Sequence, residues 1–380
     1  MALLLGADSL VGHRSGVGRV TAEIAERLAR SPAIDAFRLV IGGRALSPEV
    51  LDRLPDHEGA PPPAWLAQLP VLPALRSALV RRRLNAAAHA LGPRALYHEP
   101  NLIPRPFDGV TVVAVNDLSW RFDASLHPSA RVAHIERHLP RTLRQARRFV
   151  AISRFTGREL EREFGVDAAR IDIVPLAPAT MFRPMNAAET APVLARFGLT
   201  DRNYLLGVST LEPRKNFDRL LAAHTQLPER LRHRLPLVIA GGRGWGEALR
   251  SRAAEEATQA GRLRLLGHVP DETLAVLYAR AAAFAFPSLY EGFGLPVLEA
   301  MAAGTPVIAA ATTAVGETAG DAALLVDPYD ERAIALAIEQ AVDDPAEAER
   351  LRQLGLTRAA GFTWDASFAL LLDCWRRALG

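Results

Sequence analysis

Short apolar runs alternate with longer amphipathic stretches along almost the whole chain. The runs are nearly continuous and rich in leucine or β-branched residues, which is typical of parallel strands buried on both faces of a sheet. The longer stretches repeat their apolar positions every three or four residues, as amphipathic helices do. Twelve strands are predicted, at residues 2–5, 37–41, 95–97, 111–115, 149–152, 171–174, 204–208, 236–240, 264–266, 283–286, 306–309 and 323–326. The clearest helices are predicted at residues 17–29, 295–303, 331–342 and 364–379.

The predicted strands fall into two series of six, separated by a segment that has three prolines and no strand pattern. We therefore predict an α/β protein with two Rossmann-like, doubly wound parallel-sheet domains over residues 1–177 and 201–363. Residues 178–200 form the predicted linker. The last amphipathic segment, residues 364–380, is expected to pack back on the first domain.

Size and composition place the chain among ordinary soluble proteins. It has 380 residues, of which 49% are hydrophobic and 23% charged, which excludes disordered, collagenous and coiled-coil classes. Its single cysteine, Cys374, cannot form an intramolecular disulfide. No apolar run approaches the ~20 residues that a membrane span needs, and the first ten residues lack the basic segment of a signal peptide. The sequence thus predicts a cytoplasmic protein.

The basic residues are unevenly distributed in two ways. Residues 1–180 carry 24 arginines against 18 acidic residues, whereas residues 181–380 carry 21 basic against 24 acidic residues. The excess of basic residues in the first half suits an anionic substrate or surface but is too weak to indicate nucleic acid.

Of the 45 basic residues, 44 are arginine and one is Lys215. A compact ammonium acts as a point charge on phosphate, so this lysine is a candidate ligand-binding residue.

Arg214 and Lys215 lie together in residues 209–216, just after the first predicted strand of the second domain. Ligands bind at the carboxyl ends of strands in open parallel sheets. Two cations at that position suit a diphosphate, because their effect grows as a leaving phosphate develops negative charge.

A second candidate segment, residues 288–301, combines carboxylates with glycines at a predicted helix start. Gly292 and Gly294 leave backbone amides uncovered, and these can hold an anion. Glu291 lies in the loop and can bind a sugar hydroxyl, while Glu299, eight residues later, lies inside the helix and can bind a ribose. An ordinary solvated helix start explains one acid, but not the glycines or an acid inside an otherwise apolar helix.

Gly16 and Gly18 follow the first predicted strand and can bring backbone amides to an anion, although a plain tight turn explains them as well. The dinucleotide motif GxGxxG is incomplete, because Thr21 occupies its third glycine position. The second strand ends in Gly42 and Gly43 instead of a ribose-binding acid. Both features argue against an NAD-dependent oxidoreductase, which remains an alternative.

These segments resemble the family 4 glycosyltransferases, whose two Rossmann-like domains form the GT-B fold with a cleft between them. The span from Glu291 to Glu299 is similar to the E-x7-E signature of that family, and residues 209–216 to its phosphate-binding segment. The resemblance covers almost the whole second domain and is thinner in the first. It extends through residues 241–245, 265–281 and 315–328, with looser matches at 15–19, 97–101, 115–120 and 150–156.

The resemblance implies a retaining, metal-independent transferase that uses a nucleotide-diphosphate sugar. Arg214 and Lys215 would bind the donor diphosphate, and Glu291 would bind the donor sugar. The other residues implied in donor or nucleotide binding are Gly16, Ser209, Thr210, Val269, Gly292, Phe293, Gly294, Leu295 and Glu299. No cofactor or metal is expected, and the sequence has neither an Asp-x-Asp motif nor a His/Cys cluster with ligand spacing.

Two positions depart from the family. Many members place an arginine a few residues before the Arg-Lys pair, where this chain has Ser209 and Thr210. The second departure bears on catalysis. Many members carry a histidine where this chain has Asn116, which can hydrogen-bond a sugar but cannot titrate. Asp117 is then the candidate proton acceptor, with His98 as the second choice. A structural role is the alternative for both.

The acceptor side depends on residues 61–91, where Trp65, Leu66, Leu69 and further leucines are followed by basic Arg81 and Arg82. Such a segment suits an anionic membrane face or a lipid diphosphate, or else a core helix with a solvated basic end. On the first interpretation these arginines, with His98 and Asn116, bind a glycan or a polyprenyl-diphosphate-linked acceptor at the inner membrane.

The amino-acid sequences of residues 210–216 and 289–300 most resemble those of family members that use GDP-mannose in bacterial polysaccharide biosynthesis. We therefore expect mannosyl transfer to a glycan or lipid-linked glycan. UDP- and dTDP-sugars are alternative donors. A non-catalytic sugar-nucleotide-binding subunit is the alternative to an enzyme.

Overall fold

The computed structural model describes residues 1–11, 16–53 and 72–380. The tryptophan and the two leucines singled out before residue 72, Trp65, Leu66 and Leu69, lie outside the described residues. Two compact units are present. The first comprises Met1–Asn116, Ala133–Pro175 and Trp364–Gly380, and the second comprises Asp117–Val132 and Leu176–Thr363.

The first unit contains a seven-stranded sheet that is parallel except at one edge. Its strands are β1 (Ala2–Gly6), β2 (Ala36–Ile41), β3 (Arg44–Leu46), β4 (Leu96–Glu99), β5 (Thr111–Val115), β6 (Ala146–Ala151) and β7 (Ile171–Ile173). They are ordered β3-β2-β1-β4-β5-β6-β7, and only the edge pair β2 and β3 is antiparallel. The strand order reverses between β1 and β4, as in doubly wound folds.

The second unit contains a six-stranded sheet in which every pair is parallel. Its strands are β8 (Leu205–Val208), β9 (Leu237–Ala240), β10 (Leu263–Gly267), β11 (Ala283–Phe286), β12 (Val307–Ala310) and β13 (Leu324–Val326). Their order, β10-β9-β8-β11-β12-β13, is that of a Rossmann sheet, and it reverses between β8 and β11.

Helices connect the parallel strands in both units. They are α1 (Gly16–Arg30), α2 (Leu72–Leu91), α3 (Ser119–Phe122), α4 (Ser129–Gln145), α5 (Arg154–Phe164), α6 (Ala187–Ala195), α7 (Phe217–Thr225), α8 (Glu229–Arg234), α9 (Arg252–Gln259), α10 (Asp271–Arg280), α11 (Leu295–Ala302), α12 (Thr313–Ala319), α13 (Glu331–Asp343), α14 (Pro345–Ala360) and α15 (Trp364–Leu379). Over the described ranges, none of them combines the length and apolar character needed to cross a membrane.

The predicted fold class, two α/β domains with parallel sheets, is confirmed, and all twelve predicted strands are present. One strand, β3, was not anticipated. Gly42 and Gly43 have φ values of 58° and 76°, as the central residues of a tight hairpin turn require, so they connect β2 to an antiparallel partner.

The division into units differs from the sequence boundaries in two places. Residues 117–132, within the expected first domain, belong to the second unit. The expected linker contains helix α6, which packs on α10 and belongs to the second unit as well. Helix α15 lies in the first unit, where its fully buried Trp375 contacts the ring of His98 with 5.6 Å between centroids.

Candidate functional site

The candidate site lies where the strand order of the second sheet reverses. Arg214 and Lys215 follow β8 in a single 3₁₀ turn, Pro213–Lys215, and Glu291 follows β11. Because β8 and β11 are neighbouring parallel strands, their carboxyl ends meet at one edge of the sheet. The two loops thereby bring residues that are 76 positions apart into contact.

A buried carboxylate joins the two cations. Lys215 Nζ donates to Glu291 Oε1 at 2.6 Å, and Arg214 Nη1 donates to Glu291 Oε2 at 3.2 Å. The Ser288 hydroxyl donates to Oε1 at 2.7 Å. On its other side Arg214 Nε contacts Glu212 Oε2 at 2.9 Å, a pair that the sequence analysis did not predict. Lys215 and Glu291 are only 6% and 8% exposed, so these charges interact with little screening by water.

The pairing shifts the pKa values of its members. Burial by itself would raise the pKa of Glu291, but the charges of Lys215 and Arg214 hold it at about 2. Burial and the neighbouring Arg214 lower the pKa of Lys215, against the opposing effect of Glu291. Although burial opposes it, the pKa of Arg214 is raised, because Glu291 and Asp117 stabilise the guanidinium charge.

Backbone geometry fixes the loop that carries the cations. Asn216 has a left-handed φ of 63°, and its side-chain amide donates to the carbonyls of Pro287 at 2.9 Å and Pro328 at 2.7 Å. The Leu289 amide donates to the Arg214 carbonyl at 2.8 Å. These bonds connect the loop after β8 to the loops after β11 and β13, which holds the cations at the carboxylate.

A glycine-rich loop after β9 packs against Ser209 and Thr210. A Cβ atom at Gly241 would lie 1.9 Å from the Ser209 carbonyl oxygen, and one at Gly244 would lie 2.5 Å from the Leu211 carbonyl oxygen. Only glycine permits such an approach of two backbones. The predicted donor-binding residues 209 and 210 are thus held beside a second loop, with the Thr210 side chain exposed.

The predicted donor-binding residues of the second segment surround the start of α11. Gly294 precedes the helix with φ 96°, and the Phe293 carbonyl accepts from the Thr318 hydroxyl at 2.6 Å. Glu299 is 3% exposed, and the Tyr278 hydroxyl donates to its Oε2 at 3.0 Å. The remaining members of this set are Gly292 and Leu295, at the same loop and helix start, and the buried Val269 before α10.

Asp117 is the first residue of a segment, Asp117–Val132, that belongs to the second unit although it lies in the chain between β5 and β6 of the first sheet. Its Oδ1 accepts from the Ser119 amide at 3.2 Å and hydroxyl at 2.8 Å. Its charge contributes to the raised pKa of Arg214, so this predicted catalytic residue lies within electrostatic range of that guanidinium.

The other predicted residues lie in the first unit. Gly16 is exposed at the start of α1, and Arg81 and Arg82 are exposed on α2, where Arg81 Nη1 lies 4.0 Å from Asp108. The Asn116 amide donates to the Pro100 carbonyl at 3.0 Å.

His98 differs from these because it is buried within the first unit. It is 1% exposed, and burial lowers its pKa to about 3. Its ring contacts a buried tryptophan of α15. This environment, within the first unit, is that of a core histidine. In the described ranges no group of three or more His, Cys, Asp or Glu side chains is arranged to hold a metal ion.

Comparison with known protein families gives two matches. Residues 14–177 match the family described as Glycosyltransferase Family 4, and residues 195–357 match Glycosyl transferases group 1. The O-antigen chain mannosyltransferase B of Escherichia coli is 35% identical over 370 residues, which cover 96% of this chain and 97% of the relative.

Solved glycosyltransferases share the fold. Sucrose-phosphate synthase from Thermosynechococcus elongatus superposes with a TM-score of 0.71 at 23% identity, covering 99% of this chain and 98% of that protein. HepE from Anabaena, solved in complex with UDP-glucose, has a TM-score of 0.73 at 18% identity, with 98% of both chains covered. At these identities the similarity concerns the fold, which is of the GT-B type.

The ion-pair geometry predicts how acid affects stability. The pKa of Glu291 is about 2 in the folded protein against an ordinary value of 4.5. The ionised carboxylate therefore contributes its full share to the free energy of unfolding above pH 4.5, and this share is lost as the pH falls towards 2. We expect Glu291→Gln to lower the free energy of unfolding by about 3 kcal/mol at pH 6, because it leaves buried Lys215 without its anionic partner.

Urea unfolding of both proteins at a series of pH values tests this prediction. The difference in the free energy of unfolding between wild type and Glu291→Gln should become smaller as the pH falls below 4.5. Glu247→Gln is the matched control, because Glu247 is exposed and forms a surface ion pair with Arg250. A difference that stays constant down to the lowest pH at which the protein folds would contradict the assignment.

Proposed function

Since the chain belongs to the family 4 glycosyltransferases, we propose that it transfers mannose from GDP-mannose to a glycan or lipid-linked glycan in bacterial polysaccharide biosynthesis. The similarity to an O-antigen mannosyltransferase over almost the full length of both chains supports this donor sugar and pathway class. The observation that carries the proposed chemistry is the buried pairing of Arg214 and Lys215 with Glu291.

The pairing suggests how the site responds to donor. A diphosphate carries more negative charge than one carboxylate, so Arg214 and Lys215 exchange Glu291 for phosphate oxygens when donor binds. The released carboxylate of Glu291 then accepts hydrogen bonds from hydroxyls of the donor sugar. Amides of Gly292 to Leu295 bind the sugar and phosphate, and Glu299 binds the ribose, with its carboxylate oriented by the Tyr278 hydroxyl.

In the proposed reaction the bond between the anomeric carbon and the diphosphate oxygen breaks, and the acceptor oxygen forms its bond on the same face, with retention. Negative charge develops on the departing diphosphate, and Arg214 and Lys215 stabilise it. The acceptor proton passes to Asp117 or to a phosphate oxygen. Two fixed cations provide the charge neutralisation that a metal ion would otherwise supply, so we propose that the reaction is metal-independent.

Calorimetric titration with GDP, UDP, dTDP, ADP, NAD and GDP-mannose, each with and without EDTA, tests donor class and metal dependence together. We expect GDP and GDP-mannose to bind more tightly than the other nucleotides and to bind equally well in EDTA. Tight binding of UDP or dTDP instead would indicate that the donor is a UDP- or dTDP-sugar. Binding of NAD alone would support an oxidoreductase and contradict the proposal, and donor binding without turnover would indicate a binding subunit.

Lys215→Met keeps the length of the side chain and removes its charge. Because the contact with phosphate strengthens as the diphosphate leaves, we expect kcat/KM for transfer to fall at least 100-fold, with the fall in kcat at least as large as the loss of donor affinity. Arg250→Met, which removes an exposed cation of the same unit, is the control and should leave kcat/KM unchanged. Equal kcat/KM for Lys215→Met and wild type would rule out the role proposed for Lys215.

Helix α2 supports a proposal for the acceptor side. Val80, Leu84 and Ala88 form its buried face, while Leu75 and Leu79 point away and are 64% and 46% exposed. Arg82 and the arginines beside it flank these leucines and are exposed too. Apolar side chains bordered by cations match a surface of anionic phospholipid. We propose that this face contacts the inner membrane peripherally, where a polyprenyl-diphosphate-linked acceptor would reside.

Sedimentation with lipid vesicles tests the membrane proposal. Wild type should bind vesicles containing phosphatidylglycerol, and bind less at high salt, whereas the double variant Leu75→Glu/Leu79→Glu should bind at least 10-fold more weakly. Leu336→Glu, at an equally exposed leucine of α13, is the control. Equal binding by all three proteins, or no binding by wild type, would contradict a role for this face.

A further inference from the structure

A segment of 16 residues, Asp117–Val132, is attached to the second unit beside the candidate site. The Leu118 amide donates to the Tyr290 hydroxyl at 3.2 Å, and the ring of Phe122 lies 5.3 Å from that of Tyr290. Tyr290 directly precedes Glu291. The segment is therefore joined to the loop that carries the site carboxylate.

Trp245, in the glycine-rich loop after β9, holds the other end of the segment. Its indole nitrogen donates to the Leu126 carbonyl at 2.7 Å. The guanidinium carbon of Arg131 lies 5.0 Å from the Trp245 ring centroid, and the His127 ring lies 5.6 Å from it at an interplanar angle of 37°. These contacts fix the position of the His127 imidazole.

His127 is 7% exposed, yet neither of its ring nitrogens has a hydrogen-bond partner in the part of the chain that the structure describes. Buried polar groups are nearly always hydrogen-bonded, because an unsatisfied one carries a desolvation penalty. A second buried histidine of the same unit, His224, follows this rule, since its Nε2 lies 2.6 Å from the Leu235 carbonyl oxygen. His127 thus has free hydrogen-bonding capacity at a fixed position.

The charged groups that face His127 indicate its protonation state. Burial, Arg131 and Arg214 lower its pKa, and Asp117 and Glu212 oppose them with smaller effects. The imidazole is consequently neutral at pH 7, with one N–H donor and one acceptor nitrogen. A neutral imidazole complements a hydroxyl, which both donates and accepts, whereas a phosphate oxygen could use only the donor.

We propose that His127 binds a hydroxyl of the donor sugar next to the diphosphate held by Arg214, and that Trp245 is the positioning residue for this imidazole. The inference rests on the proposed function, because the electrostatic effect of Arg214 on His127 bears on donor binding only if Arg214 binds the donor diphosphate. It adds a sugar-binding residue that the E-x7-E segment does not contain.

The test compares GDP with GDP-mannose, because only the second contains the sugar. In His127→Phe, which keeps the packing on Trp245, we expect unchanged affinity for GDP and affinity for GDP-mannose reduced about 10-fold, with kcat/KM reduced by at least that factor. His127→Gln, which retains hydrogen-bonding groups, should recover part of the loss. His233→Phe, at an exposed histidine of the same unit, is the control.

Deoxy analogues of GDP-mannose identify the hydroxyl. For the analogue that lacks it, wild type and His127→Phe should bind with equal affinity. Trp245→Phe, which removes the hydrogen bond to Leu126, should reproduce the selective loss for GDP-mannose in weaker form.

The outcomes separate the inference from the proposed function. If His127→Phe binds GDP-mannose as tightly as wild type, or weakens GDP and GDP-mannose equally, the inference is wrong while the transferase assignment is unaffected. If wild type binds neither ligand, the proposed donor is wrong, and the same comparison made with UDP and UDP-glucose decides the role of His127 by the same criteria.

Discussion

The structure of the candidate site depends on one buried contact, the pairing of Lys215 with Glu291 across two loops of the second sheet. Burying a charged lysine, here 6% exposed, carries a desolvation cost that an anionic partner offsets, and the 2.6 Å contact supplies that partner. Glu291 in turn retains its charge in a buried position because Lys215 and Arg214 hold its pKa at about 2. Each group makes the ionised state of the other possible, so both charges can be kept in a buried position.

Backbone constraints keep these charges in place. Asn216 in a left-handed conformation connects three loops, and Gly241 allows two loops to approach more closely than any side chain would permit. The glycine-rich loop also presents Trp245, which holds the segment that contains Asp117 and His127. The parts of the second unit proposed to bind donor are thus coupled through short contacts, which suits a site whose electrostatic effect requires fixed dipoles and charges.

Much of the fold could be predicted from the sequence because parallel strands buried on both faces leave continuous apolar runs. Strand β3 escaped prediction, since Gly42 and Gly43 were considered only as the place of a missing ribose-binding acid. Placing Arg214, Lys215 and Glu291 together followed from the carboxyl ends of neighbouring strands. No sequence pattern indicated that residues 117–132 attach to the second unit. One hydrogen bond that holds them there joins the Leu126 carbonyl to Trp245, 119 positions later, and a backbone carbonyl leaves no mark in the sequence. The same holds for His127: only the packed structure shows that its ring nitrogens have no hydrogen-bond partner among the described residues.

A crystal structure of the protein with GDP tests the central claim most directly. We expect β-phosphate oxygens within hydrogen-bond distance of Lys215 Nζ and the Arg214 guanidinium, a longer distance between Lys215 and Glu291, and contacts between the ribose hydroxyls and Glu299. A diphosphate bound elsewhere, with the contact between Lys215 and Glu291 unchanged, would contradict it and would assign the buried ion pair to stability alone.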